Sequence, residues 1–130
     1  MKFKDNYYRL VGVRNEGAHS LFSIALLPDC ELYRGHFPGD PVCPGVCSIE
    51  LIRQCAECLE REPLFIHRIK QCRFTVLLSP ATCRELTVDL SLSPTGEEKG
   101  VLAPARIYDE RNVYVEFKGE MLKRGRAISG

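Results

Sequence analysis

The sequence predicts an α+β fold in which one antiparallel sheet of about six strands packs against a single long helix. One segment, Gly45 to Arg61, carries apolar residues at helical spacing, whereas two runs before it and four runs after it have strand character. That segment is apolar over most of its circumference, which suits a sheet curved around it. The length of 130 residues fits one domain with a substantial core.

Two strand-like runs precede the helix. Tyr7 to Val13 and Ala18 to Leu27 have β-type composition, and Arg14 to Gly17 between them is a turn signal, so the two runs are expected to form a hairpin. Pro28 and Asp29 end the second run. A loop rich in glycine and proline follows from Cys30 to Pro44, and long loops in small domains are often functional.

The predicted helix begins at Gly45 because Pro44 stands where a missing N–H costs nothing, and Pro63 ends it. Most of its circumference is apolar. The remaining positions form a polar strip that faces something other than the sheet. The strip consists of Glu50, Arg53, Gln54, Glu57, Glu60 and Arg61.

Four strand candidates follow the helix. Alternation of apolar and polar residues is clearest within the second and the fourth of them. Short turn signals separate the later runs, at residues 79–81, 94–96 and 109–112. The candidates are Phe65–Leu78, Glu85–Leu92, Gly100–Tyr108 and Val113–Leu122.

Charge and hydropathy exclude several classes of function. The chain has 18 Lys+Arg against 17 Asp+Glu, so no basic excess points to nucleic acid. There is no apolar run long enough for a membrane span, and the first residues lack the apolar segment of a signal peptide. We therefore expect a soluble cytoplasmic protein.

Seven cysteines are many for this length, but their odd number and the lack of a signal peptide argue against a disulfide framework. Cys55 and Cys58 form a CxxC that suggests zinc, although zinc sites usually present this motif on a turn and not within a helix. We expect buried free thiols and no metal. The seven are Cys30, Cys43, Cys47, Cys55, Cys58, Cys72 and Cys83.

Two titratable residues near the helix start are candidates for chemistry. His36 lies between Gly35 and Gly39, and histidine suits proton transfer near neutral pH. Glu50 lies in the second turn of a helix whose first N–H groups, including that of Gly45, favour negative charge. Base, acid and oxyanion donor are thus available for proton abstraction beside a carbonyl. From the residues alone, the more common interpretations, a hydrogen-bonded structural histidine and a solvated helix carboxylate, stay open.

The segment from Gly35 to Gln54 resembles the signature of the hot-dog-fold (3R)-hydroxyacyl-ACP dehydratases, in the order and spacing of FabZ-type enzymes. FabA-type enzymes carry an aspartate where Glu50 stands. Weaker similarity extends over Cys72–Phe74 and Val115–Glu120. The matching positions are Gly35-His36-Phe37-Pro38-Gly39, Pro41-Val42, Pro44-Gly45-Val46, Ile49-Glu50 and Gln54.

This resemblance implies a single hot-dog domain over residues 1–130, in which the sheet wraps the helix. It implies that His36 removes the α-proton of a 3-hydroxyacyl thioester and that Glu50 gives a proton to the departing 3-hydroxyl. The N–H of Gly45 would hold the thioester oxygen, and no cofactor is needed. The remaining substrate-binding positions implied are Phe37, Gly39, Val46 and Gln54.

The resemblance also implies partners. The substrate is carried on the phosphopantetheine of an acyl carrier protein, in fatty acid, polyene or related lipid biosynthesis. The active unit is a homodimer, open to further assembly, in which His36 and Glu50 come from opposite protomers. Lys123, Arg124 and Arg126 are a basic cluster suited to an acidic carrier, although a solvated tail has the same composition. Arg53 replaces a small apolar residue of FabZ-type enzymes, which favours a specialised dehydratase.

Two alternatives belong to other classes of function. A hot-dog thioesterase would hydrolyse the thioester, although such enzymes usually lack the His-Phe-Pro-Gly turn. A non-catalytic subunit that binds acyl carrier protein would need neither His36 nor Glu50. Product analysis separates the thioesterase from the dehydratase, and a structure without a cavity beside His36 would favour the non-catalytic subunit.

Overall fold

The computed structural model describes residues 8–27, 45–76, 85–96 and 98–123. These residues form one antiparallel sheet and one helix, as predicted. The helix, α1, spans Gly45–Glu60. The strands are β1 (Tyr8–Glu16), β2 (His19–Leu26), β3 (Leu64–Phe74), β4 (Glu85–Leu90), β5 (Ser93–Pro94), β6 (Gly100–Tyr108) and β7 (Val113–Lys123).

The sheet order is β1-β2-β4-β6-β7-β3, and the short β5 pairs with β6. The hairpin of β1 and β2, which precedes the helix in sequence, and strand β3, which follows it, therefore lie on opposite sides of the sheet. β1 and β3 are its two edges. The register aligns one row of apolar side chains across six strands, namely Val13, Phe22, Val88, Ile107, Val115 and Phe74.

That row shows where the helix lies. Its four central members are buried, whereas Val13 on β1 is 45% exposed and Phe74 on β3 is 50% exposed. Helix α1 turns Leu51, Ile52 and Ala56 into the core, together with other residues at helical spacing. The helix thus covers the centre of the sheet, as the wide apolar arc predicts, and leaves the two edge members of this row exposed.

The helix ends one residue earlier than predicted. Arg61 follows Glu60 with a positive φ of 58° and donates its N–H to the carbonyl oxygen of Glu57 at 2.7 Å. A left-handed residue directly after a helix is a common way to end it, although glycine is usual there. The chain then passes Pro63 and enters β3 at Leu64.

The first hairpin and one turn differ from the prediction. Arg14 to Glu16 belong to β1, and the chain reverses over Gly17 and Ala18, so Glu16 pairs with His19. Gly17 has φ 62°, which a two-residue hairpin loop requires and which only glycine adopts without strain. Ser93–Pro94, at the start of a predicted turn, forms the short β5.

The prediction of buried thiols is confirmed for Cys47 and Cys55, and burial raises the pKa of Cys55. It is wrong for Cys58, which lies at the border of the apolar arc and is exposed. Cys72 is half-buried, and Cys30, Cys43 and Cys83 lie outside the described residues. Within the described ranges, no three metal-binding side chains cluster, and no helix has the length and hydropathy of a membrane span.

Candidate active site

The predicted site residues divide into two groups. Glu50 and Gln54 lie on α1, and Gly45 and Val46 form its first turn. The loop that carries His36, Phe37 and Gly39 lies outside the described residues, as do Arg124 and Arg126. The catalytic roles inferred from the sequence therefore stay predictions, and the described geometry concerns the helix half of the site.

Glu50 is held by two neighbours on the same helix face. Arg53 donates from Nε to Glu50 Oε1 at 2.8 Å and from Nη2 to Glu50 Oε2 at 2.5 Å. Gln54 donates from Nε2 to Oε2 at 2.8 Å. The spacings of three and four residues place all three side chains side by side on a helix. The Glu50 side chain is 33% exposed, so it lies at the surface of a partly covered strip.

The same network reaches both edges of the sheet. Tyr8, at the start of β1, donates its hydroxyl to Gln54 Oε1 at 2.7 Å. On the other side, Arg53 Nη1 donates to the carbonyl oxygen of Leu64, the first residue of β3, at 3.0 Å. Glu57 Oε2 accepts from Arg53 Nη1 at 2.5 Å and from the N–H of Leu64 at 2.8 Å. The polar strip therefore spans the gap between β1 and β3.

Electrostatics favour the ionised form of Glu50. The hydrogen bond from Arg53, reinforced by Gln54 and by the charge of Arg53, holds the pKa of Glu50 below its usual value. Burial acts in the opposite direction but does not prevail. The contacts with Glu50 and Glu57 likewise raise the pKa of Arg53. In the described network, Glu50 is thus a hydrogen-bond acceptor.

A cavity of about 380 Å³ lies beside this strip, within the size range of small-molecule sites. It is lined by Tyr8, Leu10, Phe22, Gln54, Cys55, Glu57 and Cys58. A larger cavity of about 670 Å³ lies near Tyr108 and Asn112. None of the strip residues lines that second cavity, so the chemistry is better placed at the first.

Lys123 was predicted as part of a basic docking cluster. Its Nζ lies 3.0 Å from Glu60 Oε1 and 3.8 Å from Glu62 Oε2, and these contacts raise its pKa. Two carboxylates therefore compensate its charge, which weakens it as a contact for an acidic partner.

Sequence reasoning missed Tyr8 and Leu64 as members of the network. Tyr8 is 46 residues from Gln54 along the chain, and only the closure of the sheet around the helix brings them together. The sequence marks Arg53 as unusual for a FabZ-type helix but does not predict its contacts with Glu57 and Leu64. A signal was present, since Glu50, Arg53 and Glu57 have the spacing of helical ion pairs.

Comparison with known proteins points to a family of dehydratases. The family model of the ApeI-like proteins, described as ApeI dehydratase, matches residues 13–101. A 3-hydroxyacyl-[acyl-carrier-protein] dehydratase FabZ from Levilactobacillus brevis is 36% identical over 67 residues, which cover 46% of this chain and 45% of the relative. A FabZ from a Geobacillus species is 31% identical over 102 residues, covering 72% and 63%. The match thus spans less than two thirds of the length of either relative.

Solved structures show the same fold. A chain of the dehydratase heterocomplex ApeI:P from Xenorhabdus doucetiae superposes with a TM-score of 0.67 at 20% identity, covering 88% of this chain and 97% of that chain. An uncharacterised protein from Pyrococcus horikoshii superposes with a TM-score of 0.65 at 13% identity, covering 95% and 87%. The expected hot-dog fold, a sheet wrapped around one helix, is confirmed.

Proposed function

Since the chain belongs to the ApeI-like dehydratase family, we propose that it removes water from a (3R)-hydroxyacyl thioester to give a trans-2-enoyl thioester. The observation that carries this proposal is the setting of Glu50. Its carboxylate lies on the polar strip of α1, one turn after the helix begins, fixed by Arg53 and Gln54 and close to a cavity. The cavity itself is lined by Gln54 and Glu57 of the same strip, and a carboxylate held in a fixed orientation beside such a cavity is a candidate for acid–base catalysis.

In the proposed reaction, His36 takes the α-proton from C2, and the electrons of that bond form the C2–C3 double bond. The C3–O bond breaks, and the oxygen takes a proton from Glu50 and leaves as water, so that His36 is left protonated and Glu50 ionised. The N–H of Gly45 holds the thioester oxygen while negative charge builds on it. Phe37, Gly39, Val46 and Gln54 line the substrate, and side-chain acid–base groups suffice for this elimination.

The proposed active unit is a dimer. Strand β3 is a sheet edge and carries Phe65, Ile69 and Phe74, which are 39%, 44% and 50% exposed. An exposed apolar edge strand favours pairing with another chain. The proposed partner is a second copy of this chain, and a different chain is the alternative, since the Xenorhabdus doucetiae structure is a dehydratase heterocomplex. In this dimer, His36 of one protomer works with Glu50 of the other.

The proposed substrate is delivered by an acyl carrier protein, as the names of the two FabZ relatives suggest. Arg124 and Arg126 would contact this acidic partner more readily than Lys123, whose charge Glu60 and Glu62 compensate.

The proposal is tested by incubating the purified protein with 3-hydroxybutyryl thioesters of carrier protein and of coenzyme A, and following enoyl absorbance. His36→Ala and Glu50→Gln should each lower turnover by about 10²–10⁴-fold, the usual contribution of a general acid or base. Arg14→Met, which removes an exposed ion pair with Glu16, is the control and should match the wild type.

Other outcomes select the alternatives. Release of the free acid indicates a thioesterase. An inert protein that still binds the acylated carrier indicates a non-catalytic subunit. Wild-type turnover in both His36→Ala and Glu50→Gln contradicts the assigned roles.

A further inference from the structure

Arg53 is more firmly anchored than a surface arginine. Its Nη1 donates both to Glu57 Oε2 at 2.5 Å and to the carbonyl oxygen of Leu64 at 3.0 Å. These contacts fix the plane of the guanidinium and leave the edge formed by Nε and Nη2 facing Glu50. A planar fork that meets a carboxylate with two parallel hydrogen bonds is the arrangement that arginine forms best.

This arrangement suits an anion. A neutral carboxyl would carry its proton on one of its oxygens and would lose acceptor capacity where both Arg53 donors point. Within the described network, Oε2 accepts from Arg53 and from Gln54, which uses both of its lone pairs. Oε1 accepts only from Arg53 there, so one lone pair of Oε1 is available to a further donor.

We propose that Arg53 is the positioning residue of this site, holding Glu50 as an anion whose Oε1 accepts a hydrogen bond from the 3-hydroxyl of the substrate. This inference rests on the proposed function and changes one role within it, because Glu50 then orients the leaving group and does not protonate it. The base takes the C2 proton, the C3–O electron pair leaves with the oxygen, and that oxygen receives the proton held by the base. Glu50 is unchanged.

The charged and polar groups that face Glu50 come from α1 and from the strands packed against it, and they favour its ionised form. On α1, Arg53 is the facing cation, Gln54 is neutral and Glu57 is bound to Arg53. From β3 comes the carbonyl oxygen of Leu64, and from β1 the hydroxyl of Tyr8, which reaches Gln54 and not Glu50. The facing charge that stabilises the anion within the described residues is therefore that of Arg53.

The test compares turnover from acidic to neutral pH in the wild type, Arg53→Met and Arg53→Lys. Removing Arg53 leaves burial as the main influence on Glu50, so the pKa of Glu50 should rise. If the anion is the working form, Arg53→Met lowers kcat near neutral pH by several-fold and makes the acid limb of kcat/KM begin at higher pH. Arg53→Lys keeps the positive charge but not the two parallel hydrogen bonds. It should therefore restore part of the kcat and shift the acid limb of kcat/KM part of the way back to lower pH.

Two further measurements keep the test decisive. Titration of ¹³C-labelled Glu carboxyl groups by NMR reports the pKa of Glu50 directly. Arg14→Met, the same change at an exposed ion pair, should keep the wild-type profile. If Arg53→Met does not fold, the comparison of Arg53→Lys with the wild type decides.

The contrary result is equally clear. If Glu50 acts as a proton donor, freeing it from Arg53 raises its protonated fraction, and kcat near neutral pH equals or exceeds that of the wild type. That outcome in an active protein overturns the role of Arg53 alone. A wild-type protein that converts no 3-hydroxyacyl thioester overturns the proposed function, and the role of Arg53 with it.

Discussion

Gln54 connects Glu50 to the sheet. Its amide N–H donates to Glu50, while its carbonyl oxygen accepts from the hydroxyl of Tyr8. The Tyr8 hydrogen bond therefore fixes which end of the amide faces the carboxylate. A residue at the start of β1 thus determines the orientation of a side chain that binds Glu50.

This connection predicts the effect of Tyr8→Phe. The buried ring is kept, but Gln54 loses the donor to its Oε1, so the free energy of unfolding should fall by about 0.5–1.5 kcal/mol. Turnover should fall as well, because the amide is then free to rotate away from Glu50. Urea unfolding and enoyl formation measure the two effects.

Tyr108→Phe is the matched control, since it removes a tyrosine hydroxyl away from the strip and keeps the ring under the Arg106 guanidinium at 5.3 Å. Equal turnover in Tyr8→Phe and Tyr108→Phe would contradict the orienting role.

At the scale of elements, the helix was the easiest part to predict. Its apolar arc and its flanking prolines are local signals, and both ends were placed within one residue. The turn of the first hairpin was misplaced because Arg14, Asn15 and Glu16 have turn-like composition, although pairing with β2 keeps them extended.

The helix half of the candidate site was also predictable, because Glu50 and Gln54 lie on one face of a helix that the sequence predicts. The hydrogen bond from Arg53 to Leu64 was not predictable, because it depends on where β3 begins relative to the helix.

Strand β7 contains a close approach that a methyl group would disturb. Gly119 pairs with Ile69, between two irregularities in the register of β3. A Cβ at this position would lie 2.6 Å from Cζ of the buried Phe117 and 3.1 Å from the carbonyl oxygen of Arg68. Either the ring or the edge strand must move to accommodate it.

Gly119→Ala should therefore lower the free energy of unfolding by about 1–3 kcal/mol, the usual cost of overpacking. The matched control is Gly12→Ala in β1, where an added Cβ meets no heavy atom within 4 Å, and it should cost nothing. Chemical denaturation of both variants makes the comparison. Gly119→Ala as stable as Gly12→Ala would show that β3 is not held at this distance from β7.

At the scale of the whole molecule, the polar strip of α1 lies beside the exposed apolar residues of the β3 edge. The polar strip spans the gap between the two sheet edges, and the β3 edge beside it exposes Phe65 and Ile69. The half-buried carboxylates of the strip already have Arg53 as a partner, whereas the exposed apolar side chains on the edge strand have an environment that is unusual in a monomer. A second chain placed against β3 would cover them and would also approach the strip, because Arg53 is bonded to the first residue of β3.

This arrangement gives a prediction about the proposed dimer. If His36 of one protomer works with Glu50 of the other, His36→Ala and Glu50→Gln should each be inactive alone and active when mixed. A mixed dimer contains one site with both wild-type residues and one site with neither. Random exchange in a symmetric dimer makes half of the dimers mixed, so turnover should recover to about a quarter of the wild-type value. The measurement is enoyl formation after the two variants are unfolded and refolded together.

The control for this experiment is refolding each variant alone, which should leave it inactive. Ile69→Glu in both variants should then abolish the recovery, because a charge on the exposed apolar face of β3 disfavours pairing of the two edges. Turnover that stays at the level of the separate variants, although size measurements show mixed dimers, would place His36 and Glu50 of each site in the same chain. In that case the catalytic site on α1 would be completed by the loop that carries His36 in the same chain. The exposed apolar side chains of β3 would then need another explanation.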